Sequence, residues 1–186
     1  MFGSFNPVQE MPVTLMTDRL VIEGSIVTRV RRLTDLVNEP DAAHLILQNA
    51  TFMEVGSRRV VSRGVAAQIR LSEVLFMYST GPGESASAMR MPKQPVKATL
   101  LVPPFTVEGT IYLPYESELK IALEAYGDKF VPVTGASYWS YAVAESPNSV
   151  ELLVVNHARA HVSIAAGIQW RADSGAPHSE GGQNPW

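Results

Sequence analysis

The chain has 186 residues, a formal net charge of -3, 46% hydrophobic and 18% charged residues, and no cysteine. That apolar content suffices for a folded core and is too high for a disordered chain, while the mild net charge gives no global attraction to nucleic acid or to an anionic membrane. The absence of cysteine excludes a disulfide scaffold, a thiolate metal site and a thiol nucleophile, and it fits a reducing cytoplasm.

In chain order, residues 1–16 read as an N-terminal arm; MFGSFNPVQEMPVTLM has neither the basic start nor the apolar run of a secretory signal. No stretch approaches the roughly 18 apolar residues of a spanning helix, so no membrane insertion is expected. LVIEGSIV, Leu20 to Val27, is short and β-branched, and Gly24 within it predicts a strand with a bulge or a close backbone approach. Leu33, Leu36 and Val37 in RRLTDLVNEP have helical spacing, and Pro40 ends the run. HLILQNATFMEV (His44 to Val55) and VAAQIRLSEVLFMY (Val65 to Tyr78) read as strands. Residues 79–96, rich in Gly, Pro, Ser and Ala, read as a linker.

FTVEGTIYL, Phe105 to Leu113, then restarts the series with Gly109 as its bending point. SELKIALEAYG predicts a second short helix, with Ser117 as N-cap and Gly127 as C-terminal cap. KFVPVTGASYWSYAV (Lys129 to Val143) reads as a strand with Pro132 at an edge or lead-in position, and VELLVVNHARAHVSI (Val150 to Ile164) as another. Residues 171–186 read as a flexible tail.

VIEGSIV and TVEGTIY are nearly one heptapeptide. Gly24 aligns with Gly109 at an offset of 85, and one residue later Leu33, Leu45, Leu47, Ala50 and Phe52 fall on Leu119, Val131, Val133, Ala136 and Tyr138. Apolar positions are kept while identities are lost, as two copies of one packed unit require. The expected fold is mainly β with short helices, an α+β class. It comprises two tandem repeats of a strand, short helix, strands unit, at 17–78 and 97–170, packed with pseudo-two-fold symmetry.

No constellation carries chemistry. His157 and His161 are four apart, but in a strand that spacing is roughly 13 Å, too far to chelate one ion. GASYW, Gly135 to Trp139, lacks the second glycine of a nucleophile elbow. Glu23 and Glu108 each precede the repeated glycine, and as exposed strand residues they need no catalytic role. No catalytic residue, metal or cofactor is expected, and the chain reads as a non-enzyme.

Charge is distributed unevenly. From Thr17 to Tyr78 there are eight Arg against seven acids, net +1, and from Lys97 to Ile164 four bases against seven acids, net -3. Arg29, Arg31, Arg32, Arg58, Arg59 and Arg63 form the candidate interaction surface, because the planar guanidinium suits carboxylate or phosphate pairing at an interface. Tyr112, Tyr138, Trp139 and Tyr141 are the candidates for a ligand pocket between the copies.

RLTDLVN (Arg32 to Asn38), LILQNA (Leu45 to Ala50) and VVNHARAHV (Val154 to Val162) together resemble an uncharacterised family of small bacterial β-rich domains. The resemblance implies a non-catalytic β-rich unit, present here twice, and attaches no catalytic residue. The expected function is therefore an interaction or assembly subunit that meets a protein partner or its own copies. A small-ligand module using the seam between repeats is the alternative. Nucleic-acid binding through the first repeat ranks last, since the second half is acidic and no strand interleaves basic with aromatic residues.

Overall fold

The computed structural model describes residues 7–30, 32–80, 93–115, 118–140 and 146–165. Within these the chain forms β1 (Gln9–Met16), β2 (Leu20–Thr28), α1 (Leu33–Val37), β3 (His44–Glu54), β4 (Val60–Arg70) and β5 (Phe76–Ser79). It continues with β6 (Lys93–Val102), β7 (Phe105–Pro114), α2 (Leu119–Glu124), β8 (Phe130–Ser140), β9 (Asn148–Asn156) and β10 (His161–Ile164). Turns of 3-10 helix, Leu71–Glu73 and His157–Arg159, precede β5 and β10. The protein is thus mainly β with few short helices.

All ten strands belong to one antiparallel sheet in the order β10-β6-β7-β8-β9-β5-β1-β2-β3-β4. Before and after residue 80 the chain passes through the same series: two strands, a short helix, two strands, a 3-10 turn and a strand. The first half lies in the sheet as β5-β1-β2-β3-β4 and the second as β10-β6-β7-β8-β9. Strands β9 and β5 join them.

Residues 9–16 do not form an arm. They are β1, held between β2 and β5, because Met11, Val13 and Leu15 alternate inward and are buried. The same period of two, in Val96, Ala98, Leu100 and Val102, makes β6, so Lys93 to Val96 of the expected linker are strand. The remainder of that linker from residue 81, and the tail 171–186, lie outside the described residues.

Gly24 and Gly109 act as their sequence context requires. The register of β2 on β3 shifts between Glu23 and Ser25, and that of β7 on β8 between Glu108 and Thr110. A Cβ on Gly24 would stand 2.9 Å from Gln48 O, 3.3 Å from Leu47 Cβ and 3.4 Å from Ala50 Cα. On Gly109 it would stand 2.5 Å from Val133 Cγ1, 3.1 Å from Thr134 O and 3.3 Å from Ala136 Cα. Both strands bend where only a glycine lets the neighbouring backbone approach.

Three local expectations change. The last strand of each half is interrupted by its 3-10 turn rather than continuous. Helix α2 closes at Ala125, whose N–H donates to Ile121 O at 2.9 Å with φ -77°, so Gly127 is not its cap; Ser117 lies outside the described residues. Pro132 sits in an interior strand but beyond the last β7 pair, Thr110 with Thr134, so its missing N–H breaks no ladder bond on that side.

The core comprises two clusters that interlock across the joint. One contains Leu100, Val107, Ile111, Val133, Tyr138 and Leu153 of the second half, together with Met16, Val21 and Phe76 of the first. The other contains Leu15, Leu33, Val37, Leu47 and Val74 of the first half, with Phe130 and Val154 of the second. Each half therefore completes the other's core, which suits a pair of units each too small to bury enough surface alone.

Candidate functional site: the joint between the halves and the open sheet edges

The main-chain joint is short. Phe76 pairs with Val155 and Met77 with Val154, and the Asn156 N–H donates to Leu75 O at 2.9 Å. Side chains reinforce it. Asn156, buried at the end of β9, donates from Nδ2 to Val74 O at 2.9 Å and Leu71 O at 3.3 Å, and its Oδ1 accepts from the Ala158 N–H at 3.2 Å. From the opposite half, Asn38 at the end of α1 accepts the Phe130 N–H at 2.8 Å and donates to Phe130 O at 2.7 Å. Arg159 forks onto the Asp18 carboxylate at 2.9 and 3.0 Å and donates to Ser72 O at 3.2 Å, while Lys129 Nζ donates to Ala42 O at 2.9 Å. Two short strands alone would leave this seam polar and wet; the two asparagines satisfy the loose carbonyls and amides beside it.

A cleft of about 480 Å³ opens at this joint, lined by Asp41, Ala42, Leu71, Lys129, Phe130 and Arg159 among others. Its cations are already engaged, Lys129 on Ala42 O and Arg159 on Asp18 and Ser72. The cleft walls are thus mostly apolar.

The three described aromatics, Tyr112, Tyr138 and Trp139, do not share one face or one pocket. Tyr138 is core: its ring lies 5.0 Å from Phe76 and 6.1 Å from Tyr78, and its hydroxyl donates to Tyr78 at 3.3 Å. Trp139, the next residue along β8, points to the other face of the sheet. Tyr112 lies on β7 with its hydroxyl 3.0 Å from Thr134 Oγ1, between the buried Ile111 and Leu113, and Tyr141 lies outside the described residues. Where Tyr138 and Trp139 approach Val55 and Arg58 of the first half, the free space is about 20 Å³, room for one water. The space at Tyr138 and Trp139 is thus too small for an organic ligand.

The arginines are likewise divided. Leu20 pairs with Glu54 and Ser25 with Gln48, so the β3–β4 turn carrying Arg58 and Arg59 stands beside the start of β2 while Arg29 follows its end. A strand of that length separates them by roughly 26 Å at about 3.3 Å per residue. Arg32 is the N-cap residue of α1, Arg63 lies on β4 opposite Thr51, and Arg31 lies outside the described residues. Arg59 pairs with Glu54, whose carboxyl is held below its ordinary range first by that hydrogen bond and then by one from Ser57. Of these five described arginines, Arg58, Arg59 and Arg63 thus lie in or shortly after the β3–β4 turn, whereas Arg29 and Arg32 follow the other end of β2.

Glu23 and Glu108 are exposed beside their bulges, one in each half. His157 lies in the 3-10 turn with its ring against Tyr126 at 5.2 Å, and His161 is exposed at the start of β10, so the strand spacing expected for the pair does not apply. Tyr126 is buried with no partner for its hydroxyl among the described residues; burial, and then the charge of Asp128, push its pKa well above the tyrosine range.

The sheet has two open edges. Among the described residues β4 pairs only with β3 and β10 only with β6. Strand β4 runs eleven residues, of which only Ile69 is buried; Val61 is 55% exposed and Val65 86%. Of their positional counterparts, β9 ends in four buried residues and β5 begins with two, Phe76 and Met77, where the strands pair. In sequence both asparagines stand only within the motifs RLTDLVN and VVNHARAHV, with no role attached, although each follows a pair of apolar residues at the end of its element. Compared with protein-family models, with curated proteins and with solved structures, the chain matches none.

Proposed function

We propose that this chain is a non-catalytic assembly subunit, a tandem duplication of one small β unit that holds protein neighbours along its sheet edges. The observation that carries the reading is β4: an eleven-residue edge strand with Val60, Val61 and Val65 exposed, no proline, and only Arg63 and Arg70 as charges along it. Edge strands are normally kept short, bulged, charged or covered unless another chain uses them; β4 has one register shift against β3, at Phe52 and Met53, and two arginines, yet its eleven residues stay open among the described residues. The duplication is supported by the repeated order of elements and by the matching contacts of Gly24 and Gly109. An isologous two-fold joint pairs like strands, whereas β5 and β9 hold unlike positions, so the copies are related head to tail.

The cysteine-free composition and the resemblance of RLTDLVN and VVNHARAHV to a bacterial β-rich family support a role in a bacterial cytoplasm. The test is the native mass of the protein from its source, by light scattering after size exclusion, with mass spectrometry of what co-elutes. The expected result is a defined species well above the 20.3 kDa of one chain; a bare chain at that mass overturns the reading.

The cleft of about 480 Å³ at the joint favours a small-ligand module as the second reading. A metabolite screen by thermal shift tests it, with Phe130→Ala as the variant that should abolish any shift. Among the described residues, the separation of the arginines leaves no single basic strip to support nucleic-acid binding.

A further inference from the structure

Resting on the duplicated-assembly reading, we infer that the neighbour is a second copy of this chain, and that its β10 adds antiparallel to the open β4 edge, head to tail. Inside one molecule the fourth strand of the second half, β9, pairs with the fifth strand of the first, β5. Among the described residues, the strands left open at the ends of the sheet are the fourth of the first half, β4, and the fifth of the second, β10. The unpaired ends are therefore the two members of the pairing that the molecule already makes once. A heterologous contact of this kind repeats from chain to chain until it closes a ring or extends as a filament.

The geometry fits at the level of residues. Strands β5 and β10 are each four residues long, so β10 offers as much ladder as the internal joint uses. Transposing Phe76 with Val155 and Met77 with Val154 sets His161 of one copy opposite Ile69 of the next, and Val162 opposite Gln68. Val162 packs against its own half's cluster as Met77 packs in its own, and Ile69 is buried in its own as Val155 is. The net charges of the two halves, +1 and -3, are opposite in sign. The contact between chains is weaker than the internal joint, because His161 stands where Phe76 fills a core and Arg70 stands where Asn156 seals the seam. It is therefore reversible.

The chain lacks cysteine, so engineered thiols report without background. Purified Gln68→Cys chain is mixed with Val162→Cys chain under mild oxidation, beside a control of Ser62→Cys with Val162→Cys, six residues out of register or roughly 20 Å. The mass of the unmodified protein is followed by light scattering across concentration. The expected result is a mass that rises with concentration above 20.3 kDa, and a disulfide between the two unlike chains in the matched pair but not in the control. A multimer in which the Gln68→Cys chain links to itself, or in which the matched pair does not link, overturns the head-to-tail joint and leaves the assembly reading standing. A purified chain that stays at one-chain mass while the native protein co-elutes with a different protein overturns the second copy as neighbour, again sparing that reading. One-chain mass in both preparations overturns both.

Discussion

Replacing Asn156 by Ala removes the polar closure of the joint, and the structure sets the cost. Leu71 O loses Nδ2 but keeps the Val74 N–H at 3.2 Å. Val74 O loses its bond at 2.9 Å and has no other protein partner among the described residues, and Val74 is fully buried. An orphaned buried acceptor costs about 1–3 kcal/mol. The Ala158 N–H also loses its acceptor, but Ala158 is exposed and water replaces it. With the small void left behind, the expected loss is about 2–3 kcal/mol, or roughly 5–10 °C in Tm for a domain of this size. Urea unfolding followed by circular dichroism and by tryptophan fluorescence measures it, and coincident transitions license the two-state treatment. Asn156→Asp gives the sign check. It places a carboxylate against two carbonyl oxygens, so its folded pKa rises above the unfolded value of about 3.9. The penalty is then absent below that unfolded value and grows as pH rises toward the folded one, making the variant relatively worse at pH 7 than at pH 4. If Asn156→Ala unfolds within about 0.5 kcal/mol of the natural protein, the amide is not what closes the joint and the reasoning fails.

Asn38→Ala should cost about 2 kcal/mol, since it frees both backbone groups of the buried Phe130. Phe130 pairs with Asn156 across β8 and β9, so the double variant should lose less than the sum, by about 0.5 kcal/mol or more in a double-mutant cycle. Gly24→Ala and Gly109→Ala should each destabilise by about 1–3 kcal/mol in urea unfolding. The nearest obstacle for Gly24 is the backbone oxygen of Gln48, whereas for Gly109 it is Val133 Cγ1, so only Gly109→Ala should cost less in a Val133→Ala background. Tyr126→Phe should leave stability equal or up to about 1 kcal/mol higher at pH 7, because it deletes a buried hydroxyl without a partner among the described residues. Its effect should grow above pH 10: the raised folded pKa of Tyr126 means the unfolded chain ionises first, so the natural protein loses stability there while the variant is spared that part, as alkaline unfolding would reveal.

Much of the fold was legible where a period or a glycine left a physical signature. Gly24 and Gly109 marked bends that the sheet makes, and the two helices fall where Leu33 to Val37 and Leu119 to Leu123 repeat at helical spacing. Strand β1 was legible too, in the alternation of Met11, Val13 and Leu15, but proline at 12 and a loop-like start masked it. The 3-10 turns were not legible: Leu71 and His157 continue their strands in composition, and only the tertiary joint makes the chain turn there. Side-chain positions are less legible, because a sequence does not show that the strand between Arg29 and the turn of Arg58 and Arg59 holds them roughly 26 Å apart, or that pleating sends Tyr138 and Trp139 to opposite faces.

The two halves differ in the direction that the proposed assembly would require. Where the second half meets the first, its fourth strand ends in Leu153, Val154, Val155 and Asn156, all buried; the corresponding strand of the first half, β4, ends in Ala67, Gln68, Ile69 and Arg70, of which only Ile69 is buried. A chain that needed only a stable monomer gains nothing from eleven residues of open edge, which invite misassociation. A chain that must join and part from neighbours needs an edge that is open but poorly sealed. The fixed joint has a buried asparagine and a phenylalanine in the neighbouring core, and the free ends have Arg70 and His161 at those places. Converting Arg70 to Asn and His161 to Phe should then turn a reversible contact into a tight one, raising the multimer fraction at fixed concentration by about tenfold or more for a gain of about 1.4 kcal/mol per contact. Light scattering of the double variant at dilute concentration measures it, and no shift toward larger species would mean that the open edges are not built to receive one another.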